Sequence, residues 1–551
     1  MDFIQEGPKL HHPYLSDKLL QALLVRYLPS EFQKEVQEDL TRFGTRVIDE
    51  MEELSQEAER ITPVHVPYDP WGKRIDEIKV TPAWNRLHEI AAEEGIVAIG
   101  YERKQKEFSR LYQFAKLYLY HPSSAIYSCP LAMTDGAARL IELFGTEGMK
   151  ERALKFLTSR DPEKFWTSGQ WMTEKSGGSD VSGTSTIAKK EGEQYTLYGI
   201  KWFTSATTSQ MAMTLAHVEG DDKLSLFYLE LRDEEGNLNG MQINRLKDKM
   251  GTKALPTAEL TLSGVPAVLV GEQGKGIKTI ATLFNITRLY NACCAVGYMR
   301  RGLSLALDYS TKRKAFGRAI IDHGLHAHTL SELQVFYEAC MMMSFHSAYL
   351  LGKVETEVAT EVEKGTLRLL IPLVKLYTAK MGVQINTEVI ESFGGAGYIE
   401  DTGLPQILRN SHVLSIWEGT TNVLSLDALR AINRENAGIH FAVDVKERME
   451  KIKDPELVNL RHETLNSLKK VIHYLQNAKD IEDLNTNART LAMNMSRVYC
   501  ASLLLEHAEW ENSKRSKLIV QRYVEMGLFE EFHSNAERRE EEQIILFQKE
   551  E

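Results

Sequence analysis

Through the first 165 positions apolar residues recur at helical spacing. Leu19, Leu20 and Leu23 to Tyr27 form an i, i+3/i+4 stripe with Ser16 placed to cap it, and Ser30–Ala58 repeats the pattern on a Glu- and Gln-rich background. Pro63, Pro67 and Pro70 interrupt the chain, and Trp71–Arg74 reads as loop. Helical spacing resumes from Thr81 and is clear over Phe108–Leu119. Between about 166 and 275 the pattern changes. Gln194–Tyr198, Met211–Ala216, Leu224–Leu229 and Ala258–Leu262 alternate apolar and polar residues between turn formers, which predicts strands. From Gly276 the helical signal returns at greater length, with helices predicted over Gly276–Lys312, His328–Lys353, Thr360–Phe393 and Ser415–Asn433. Beyond Gly438 lies a further helical stretch ending in a Glu-rich tail expected to fray.

This order predicts an α+β multidomain chain rather than alternating βαβ units. The expected domains are N-terminal helical over 1–165, middle β over 166–275, a helical bundle over 276–437 and an additional helical domain over 438–551.

Composition narrows the partners. The 551 residues carry a formal net charge of −11, which removes the bulk attraction that phosphate backbones exert on nucleic-acid binders. The segment after Phe441 has 17 basic and 21 acidic residues, a balance of −4, so nucleic acid is not the expected partner there either. No apolar run approaches the roughly 18 residues of a spanning helix; the best, Leu367–Leu376, is broken by Pro372 and Lys375. The five cysteines are few and share no ligand spacing, which fits a reducing compartment. With no legible secretory, transit or peroxisomal signal, the expectation is a cytoplasmic protein, a mitochondrial location remaining open.

Several segments carry candidate chemistry. Gly169–Val181 reads as a strand followed by a small-residue loop, with Gly177 and Gly178 adjacent and Thr173 and Ser179 supplying hydroxyls. Alone it is a tight turn; it matches neither a Walker A loop nor a G-x-G-x-x-G fingerprint. In Gly199–Thr204, Trp202 is either core packing or a stacking wall for a flat cofactor. Arg313 in Arg313–Gly317 is either a phosphate ligand or a solvated helix end. Gly394 and Gly395 look like a helix stop. Glu418 lies between Trp417 and Gly419, where burial against the ring would raise its carboxyl toward the range of a general base. His323, His326 and His328 lack an accompanying acidic or Cys ligand, so no metal site is expected.

Taken in order, W-M-T-E-K-x-G-G-S-D, G-x-K-W-F-T, R-x-x-F-G, F-G-G-x-G-Y and W-E-G-T resemble the acyl-CoA dehydrogenase family over roughly 80–440, and most of all its AidB-like branch with a long C-terminal extension. The resemblance implies an N-terminal helical domain, a β-barrel-like middle domain and a C-terminal four-helix bundle, with an extra C-terminal helical region. It implies FAD between the β domain and the bundle, completed by a neighbouring subunit of a homotetramer. Gln170, Trp171, Met172, Thr173, Ser179, Trp202, Phe203 and Thr204 would line the isoalloxazine, Thr173 and Thr204 as its hydrogen-bond partners. Arg313 and Phe316, with His323, would reach the diphosphate and adenosine, and Gly394, Gly395, Gly419, Thr420, Thr421 and Asn422 would continue the cofactor site. Ser179, Asn285 and Arg288 would meet the acyl-CoA.

The same resemblance gives Glu418 the place of the catalytic base, taking the pro-R Cα proton while the flavin accepts hydride from Cβ, so that a medium- to long-chain acyl-CoA becomes the trans-2-enoyl-CoA. Electrons would pass to an acceptor flavoprotein or, in an oxidase, to oxygen. Lys175, Ser176, Glu391 and Asn285 depart from the commoner family residues. Two other readings stand beside this one: a low-turnover flavoprotein that sequesters acyl-CoA or fatty acid, and a nucleic-acid-associated alkylation-response flavoprotein.

Overall fold

In a computed structural model of the chain, residues 5–192, 194–533 and 535–547 are described. The chain divides into two compact units. One comprises Leu10–Arg301 with Phe393–Leu414; the other comprises Gly302–Ser392, Ser415–Glu551 and the N-terminal stretch through Lys9. The helix Gly276–Lys312 contributes residues to each.

The first unit opens with helices. Asp17, not Ser16, caps the helix Lys18–Tyr27, its Oδ1 accepting from the Leu20 N–H at 3.0 Å. The expected Ser30–Ala58 helix is two, Ser30–Arg46 and Glu52–Arg60, joined by a π turn at Val47–Met51. The proline-rich stretch departs further from expectation. It forms an antiparallel hairpin, β1 (Val64–Tyr68) and β2 (Arg74–Lys79), with a register shift at Pro67, where an edge strand tolerates a missing N–H. Asp76, 2% exposed, accepts from His65 Nε2 at 2.8 Å and Arg74 Nε at 2.7 Å, and takes the Ile243 N–H at 3.2 Å. That carboxylate fastens the hairpin to the β domain. Deeper in the helical layer, the fully buried Asp135 accepts from Arg110, Gln113 Nε2 and the hydroxyls of Tyr101 and Tyr290. Four donors on one carboxylate offset its desolvation.

The middle segment is a closed barrel. Its strands are β3 (Ser168–Trp171), β4 (Ile187–Glu191), β5 (Gln194–Ser205), β6 (Met211–Val218), β7 (Leu224–Glu230), β8 (Met241–Leu246) and β9 (Thr257–Val270). The ring runs β6–β4–β5–β9–β7 and returns to β6; β3 shares an edge of β6 with β4, and β8 shares an edge of β9 with β7. Trp171, Leu197, Phe227 and Leu260 fill the interior, while Met172, Met213 and Leu226 pack outward with Ile141 and Leu283 of the helical layer. Closure removes free sheet edges.

The second unit is helical. Gly324–Glu355 and Glu361–Ser392 pair along their length, and Thr421–Glu435, Ala437–Lys451 and Ala488–Glu511 pack on them. The expected Ser415–Asn433 helix starts only at Thr421, because residues 415–420 form a turn. Lys314–Ala315 (β10) and Arg318–Ala319 (β11) make a short hairpin after the long helix. Arg448, buried at 9% exposure, ties the C-terminal helices to the bundle: it donates to Asp444 at 2.9 Å and to His346 Nε2 at 2.8 Å, and the Tyr499 hydroxyl donates to the same carboxylate. The acidic tail is helical through Asn535–Phe547, and 548–551 lie outside the described residues. All five cysteines are buried and none is in a disulfide. Among the described residues no helix is long and apolar enough to cross a membrane.

Candidate active site

In the first unit the two motifs expected to line a cofactor meet. The Trp202 N–H donates to the Thr173 carbonyl at 2.9 Å. Trp202 is free to do so because β5 carries one extra residue between Lys201, which pairs with Leu260, and Thr204, which pairs with Ala258. This bulge breaks the alternation and exposes Phe203 (51%) beside the half-buried Trp202. The Lys247 ammonium sits 3.4 Å from the Trp202 ring centroid and 4.7 Å from that of Phe203, and it is held by Glu259 at 2.7 Å.

The glycine loop is fastened by residues the sequence reading passed over. Glu174 and Gly177 exchange backbone hydrogen bonds of 3.2 and 3.1 Å, leaving Lys175 and Ser176 at the tip. A Cβ on Gly178 would stand 2.5 Å from Thr173 Oγ1, so only glycine allows the loop to lie this close. The Glu174 carboxylate, 3% exposed, accepts from Ser185 N at 2.7 Å, Ser185 Oγ at 2.6 Å, Thr186 N at 3.2 Å and the Lys201 ammonium at 2.8 Å. Burial alone pushes this carboxyl up, but Lys201 and the hydroxyl and amide donors outweigh it and hold it at about 2. Two charged residues inside otherwise polar or aromatic motifs were the available signal.

The side chains of three residues expected at the cofactor are buried within their own unit. Trp171 is 0% exposed in the barrel interior, its indole N–H donating to the Ser205 carbonyl at 3.2 Å. Met172, 7% exposed, belongs to the outward core. Thr204 is fully buried and its hydroxyl donates to the Ala258 carbonyl at 2.8 Å. Trp171 and Thr204, the latter paired with Ala258, face the barrel interior, and Met172 faces the helical layer. Gln170 and Thr173 are partly accessible, and Ser179 is exposed on the loop. Gln170 Oε1 is buried without a partner. Asn285 and Arg288 share one face of the Gly276–Lys312 helix, the Arg288 guanidinium lying 5.8 Å from the Phe284 ring centroid. Gly394 and Gly395 are exposed at the start of a 3-10 turn, with open space where a Cβ would stand.

In the second unit Glu418 and Gly419 both take positive φ, +57° and +105°, between Trp417 and the helix Thr421–Glu435. A glutamate in the left-handed region marks a backbone held by its surroundings. The holder is Lys375, fully buried in Glu361–Ser392, whose ammonium donates to the Gly419 carbonyl at 2.6 Å. Glu418 is half-buried, Thr420 is the N-cap with no side-chain bond of its own, and Thr421 is buried. Asn422 Oδ1 accepts from Arg489 at 3.4 Å. Elsewhere in this unit Phe316 and Gly317, both at positive φ, make the tip of the β10–β11 hairpin, and the Phe316 side chain is 97% exposed. Arg313 donates to Gln5 Oε1 at 2.9 Å. His323 caps Gly324–Glu355, with Nε2 on the Ala315 carbonyl at 3.1 Å and Nδ1 accepting from Arg318 at 3.3 Å. Both ring nitrogens are thus engaged. Among the described residues no group of three or more His, Cys, Asp or Glu is arranged to hold a metal.

Comparison with known proteins decides the family. The chain is 44% identical to acyl-CoA dehydrogenase family member 11 of Caenorhabditis elegans, over 92% of this chain and 86% of the relative. It belongs to the acyl-CoA dehydrogenase family. Family models match in series: the AidB N-terminal domain over 9–162, the acyl-CoA dehydrogenase middle domain over 169–265, its C-terminal domain over 274–432, and an acyl-CoA dehydrogenase 11 C-terminal domain-like region over 438–546. The AidB protein of Escherichia coli K12 is 30% identical over 70% of this chain and 72% of its own. Among solved structures, Caenorhabditis elegans ACDH-11 in complex with C11-CoA superimposes with a TM-score of 0.96 at 42% identity, covering 99% of this chain and 96% of that one. A Bacillus anthracis acyl-CoA dehydrogenase complexed with FAD shares the fold, with a TM-score of 0.72 at 19% identity over 96% of this chain and 90% of that one. The chain is therefore an oxidoreductase of the acyl-CoA dehydrogenase type.

Proposed function

We propose that the protein binds FAD and converts a medium- to long-chain acyl-CoA to its trans-2-enoyl-CoA, with Glu418 as the base. The observation that carries this reading is the left-handed Glu418–Gly419 turn pinned by Lys375. A glutamate in the left-handed region whose next carbonyl is held by a buried cation is a costly arrangement for a surface turn and a sensible one for aiming a base.

The residues present fit FAD. Gln170 Oε1 is a buried acceptor lacking a donor, the Thr173 side chain is partly accessible, Gly394 and Gly395 leave open space, and the N–H groups at the start of Thr421–Glu435 suit an anion. When bound, FAD supplies the hydride acceptor for the Cβ hydrogen. Glu418 takes the Cα proton on its carboxylate, and its backbone N–H is the candidate donor to the thioester oxygen as enolate character develops. Asn285 and Arg288, one turn apart on their helix, would bind the CoA portion. A nematode relative bound to C11-CoA supports an acyl chain of about that length.

Anaerobic titration with acyl-CoAs of graded length tests this. Bleaching of the flavin by chains near that length, lost in Glu418→Gln with binding retained, is the expected result. Tight binding without bleaching in the unmodified protein would replace it with the sequestering role.

A further inference from the structure

We propose that a cleft in the C-terminal region, outside every residue assigned above, binds a small organic anion with a flat ring, such as an aryl phosphate or a mononucleotide. The cleft, about 520 Å³, lies between the helix Val458–Asn477, the turn into Ile481–Thr486 and the irregular segment 529–533. That volume falls in the range of small-molecule sites.

Its wall is pre-organised. Segment 529–533 has no ladder of its own, yet two buried asparagines seven residues apart, one at the N-cap of Ala488–Glu511 and one within that helix, bracket it. Asn494, 0% exposed, donates to the Glu530 carbonyl at 2.8 Å and accepts from the Glu530 N–H at 2.9 Å. Asn487, 3% exposed, does the same to His533 at 2.9 and 3.1 Å. Paired carboxamides satisfy both backbone groups at each end, so a stretch that would otherwise fray is fixed in one conformation. Between the brackets Phe532 stacks on Tyr474 with centroids 3.6 Å apart, and Phe529 meets Phe532 edge-on at 5.5 Å.

The chemistry of the lining selects the ligand. Its apolar surface is aromatic, from Tyr474, Phe529 and Phe532, with no Leu, Ile, Val or Met, which favours a flat ring over an alkyl chain. Lys470 lies 4.6 Å from the Phe529 centroid and pairs with Glu531 at 3.3 Å. Lys469 and Lys479 line the same cleft, and among the described residues no carboxylate pairs with either. Lys469, His473 and Asn477 follow at successive turns of one helix face, so one cation and two hydrogen-bonding side chains share a side of the cleft, which Lys479 also lines. Asp483 is committed to the scaffold: it is 7% exposed, its Oδ1 accepts from Asn487 at 3.3 Å and its carbonyl accepts from the Tyr474 hydroxyl at 3.0 Å.

The test is calorimetric titration of the full chain with naphthalene-1-sulfonate, AMP and inorganic phosphate, with and without FAD and acyl-CoA. Both ring-bearing anions are expected to bind irrespective of FAD and acyl-CoA, and phosphate about tenfold or more weaker. Lys469→Glu with Lys479→Glu, both exposed and safe for folding, is expected to weaken binding about tenfold or more, and Phe529→Leu about fivefold with the melting temperature unchanged. Unchanged affinity in the double variant, competition by FAD or acyl-CoA, or no binding of either ring-bearing probe overturns the proposal. A short single-stranded oligonucleotide binding about tenfold or more tighter than AMP would also overturn it, in favour of a polynucleotide surface.

Discussion

The Lys375 ammonium donates to the Gly419 carbonyl at 2.6 Å, so a fully buried cation fixes the peptide next to the proposed base. A lysine in an apolar helix interior carries a desolvation cost that hydrogen bonding to backbone oxygen offsets. Replacing Lys375 with Met keeps the volume and leaves the Gly419 carbonyl without this donor. The expected outcome is a loss of about 1–3 kcal/mol of stability. The rate of flavin bleaching should fall more than acyl-CoA affinity does, because the turn, not the binding surface, is disturbed. Chemical denaturation and stopped-flow reduction measure the two effects separately.

The Glu174–Lys201 pair predicts an acid sensitivity of the barrel. Glu174 titrates at about 2 in the folded protein against 4.5 for an ordinary glutamate. A carboxyl depressed on folding contributes stability that is complete above the unfolded value and disappears as pH falls from about 4.5 toward 2. Glu174→Gln should abolish that part of the pH dependence while destabilising the protein at neutral pH, as followed by thermal melts across a pH series. A variant as stable as the parent at pH 7 would show that the loop does not depend on this carboxylate.

Lys247 should govern the Trp202 ring. Lys247→Met removes the cation 3.4 Å from the centroid, an interaction of about 0.5–2 kcal/mol. FAD retention is expected to weaken, near-ultraviolet circular dichroism of the apoprotein to flatten, and Lys247→Arg to restore most of both. Equilibrium dialysis and the dichroism spectrum read these independently.

Phe316 separates stability from cofactor affinity. At φ +49° and 97% exposed it bears backbone strain and buries almost nothing within its own chain. Phe316→Gly should leave the melting temperature unchanged or raise it, by up to about 1 kcal/mol of stability. If the ring reaches FAD, affinity falls about tenfold, roughly 1.4 kcal/mol. Unaltered FAD affinity would remove Phe316 from the site.

Periodicity carried the long elements well: Gly276–Lys312 is one helix as its spacing predicts, and the strand expectations at Met211–Ala216 and Leu224–Leu229 lie inside β6 and β7. It failed where a tertiary contact overrules local pattern. The hairpin Val64–Lys79 depends on Asp76 reaching Ile243, far along the chain, and a proline-rich stretch hides the alternation. The Ser415–Thr420 turn interrupts a helical run because Lys375, from another helix, captures the Gly419 carbonyl. In the candidate site, motif order singled out Thr173, Trp202 and Glu418. It could not separate residues whose side chains enter the barrel, Trp171 and Thr204, from their neighbours on the opposite face. It also passed over Glu174, Lys201, Lys247 and Lys375, since a charged residue within a motif gives no sign of what it will pair with.

The extra residue in β5 has an evolutionary consequence. Deleting one position between Lys201 and Thr204 would restore regular pairing with β9 without moving either flanking anchor, and so decide which aromatic ring occupies the outer surface. Lineages descending from this scaffold therefore possess a spot where a single codon gained or lost can retune the outer face around Trp202 and Phe203 while the barrel stays shut.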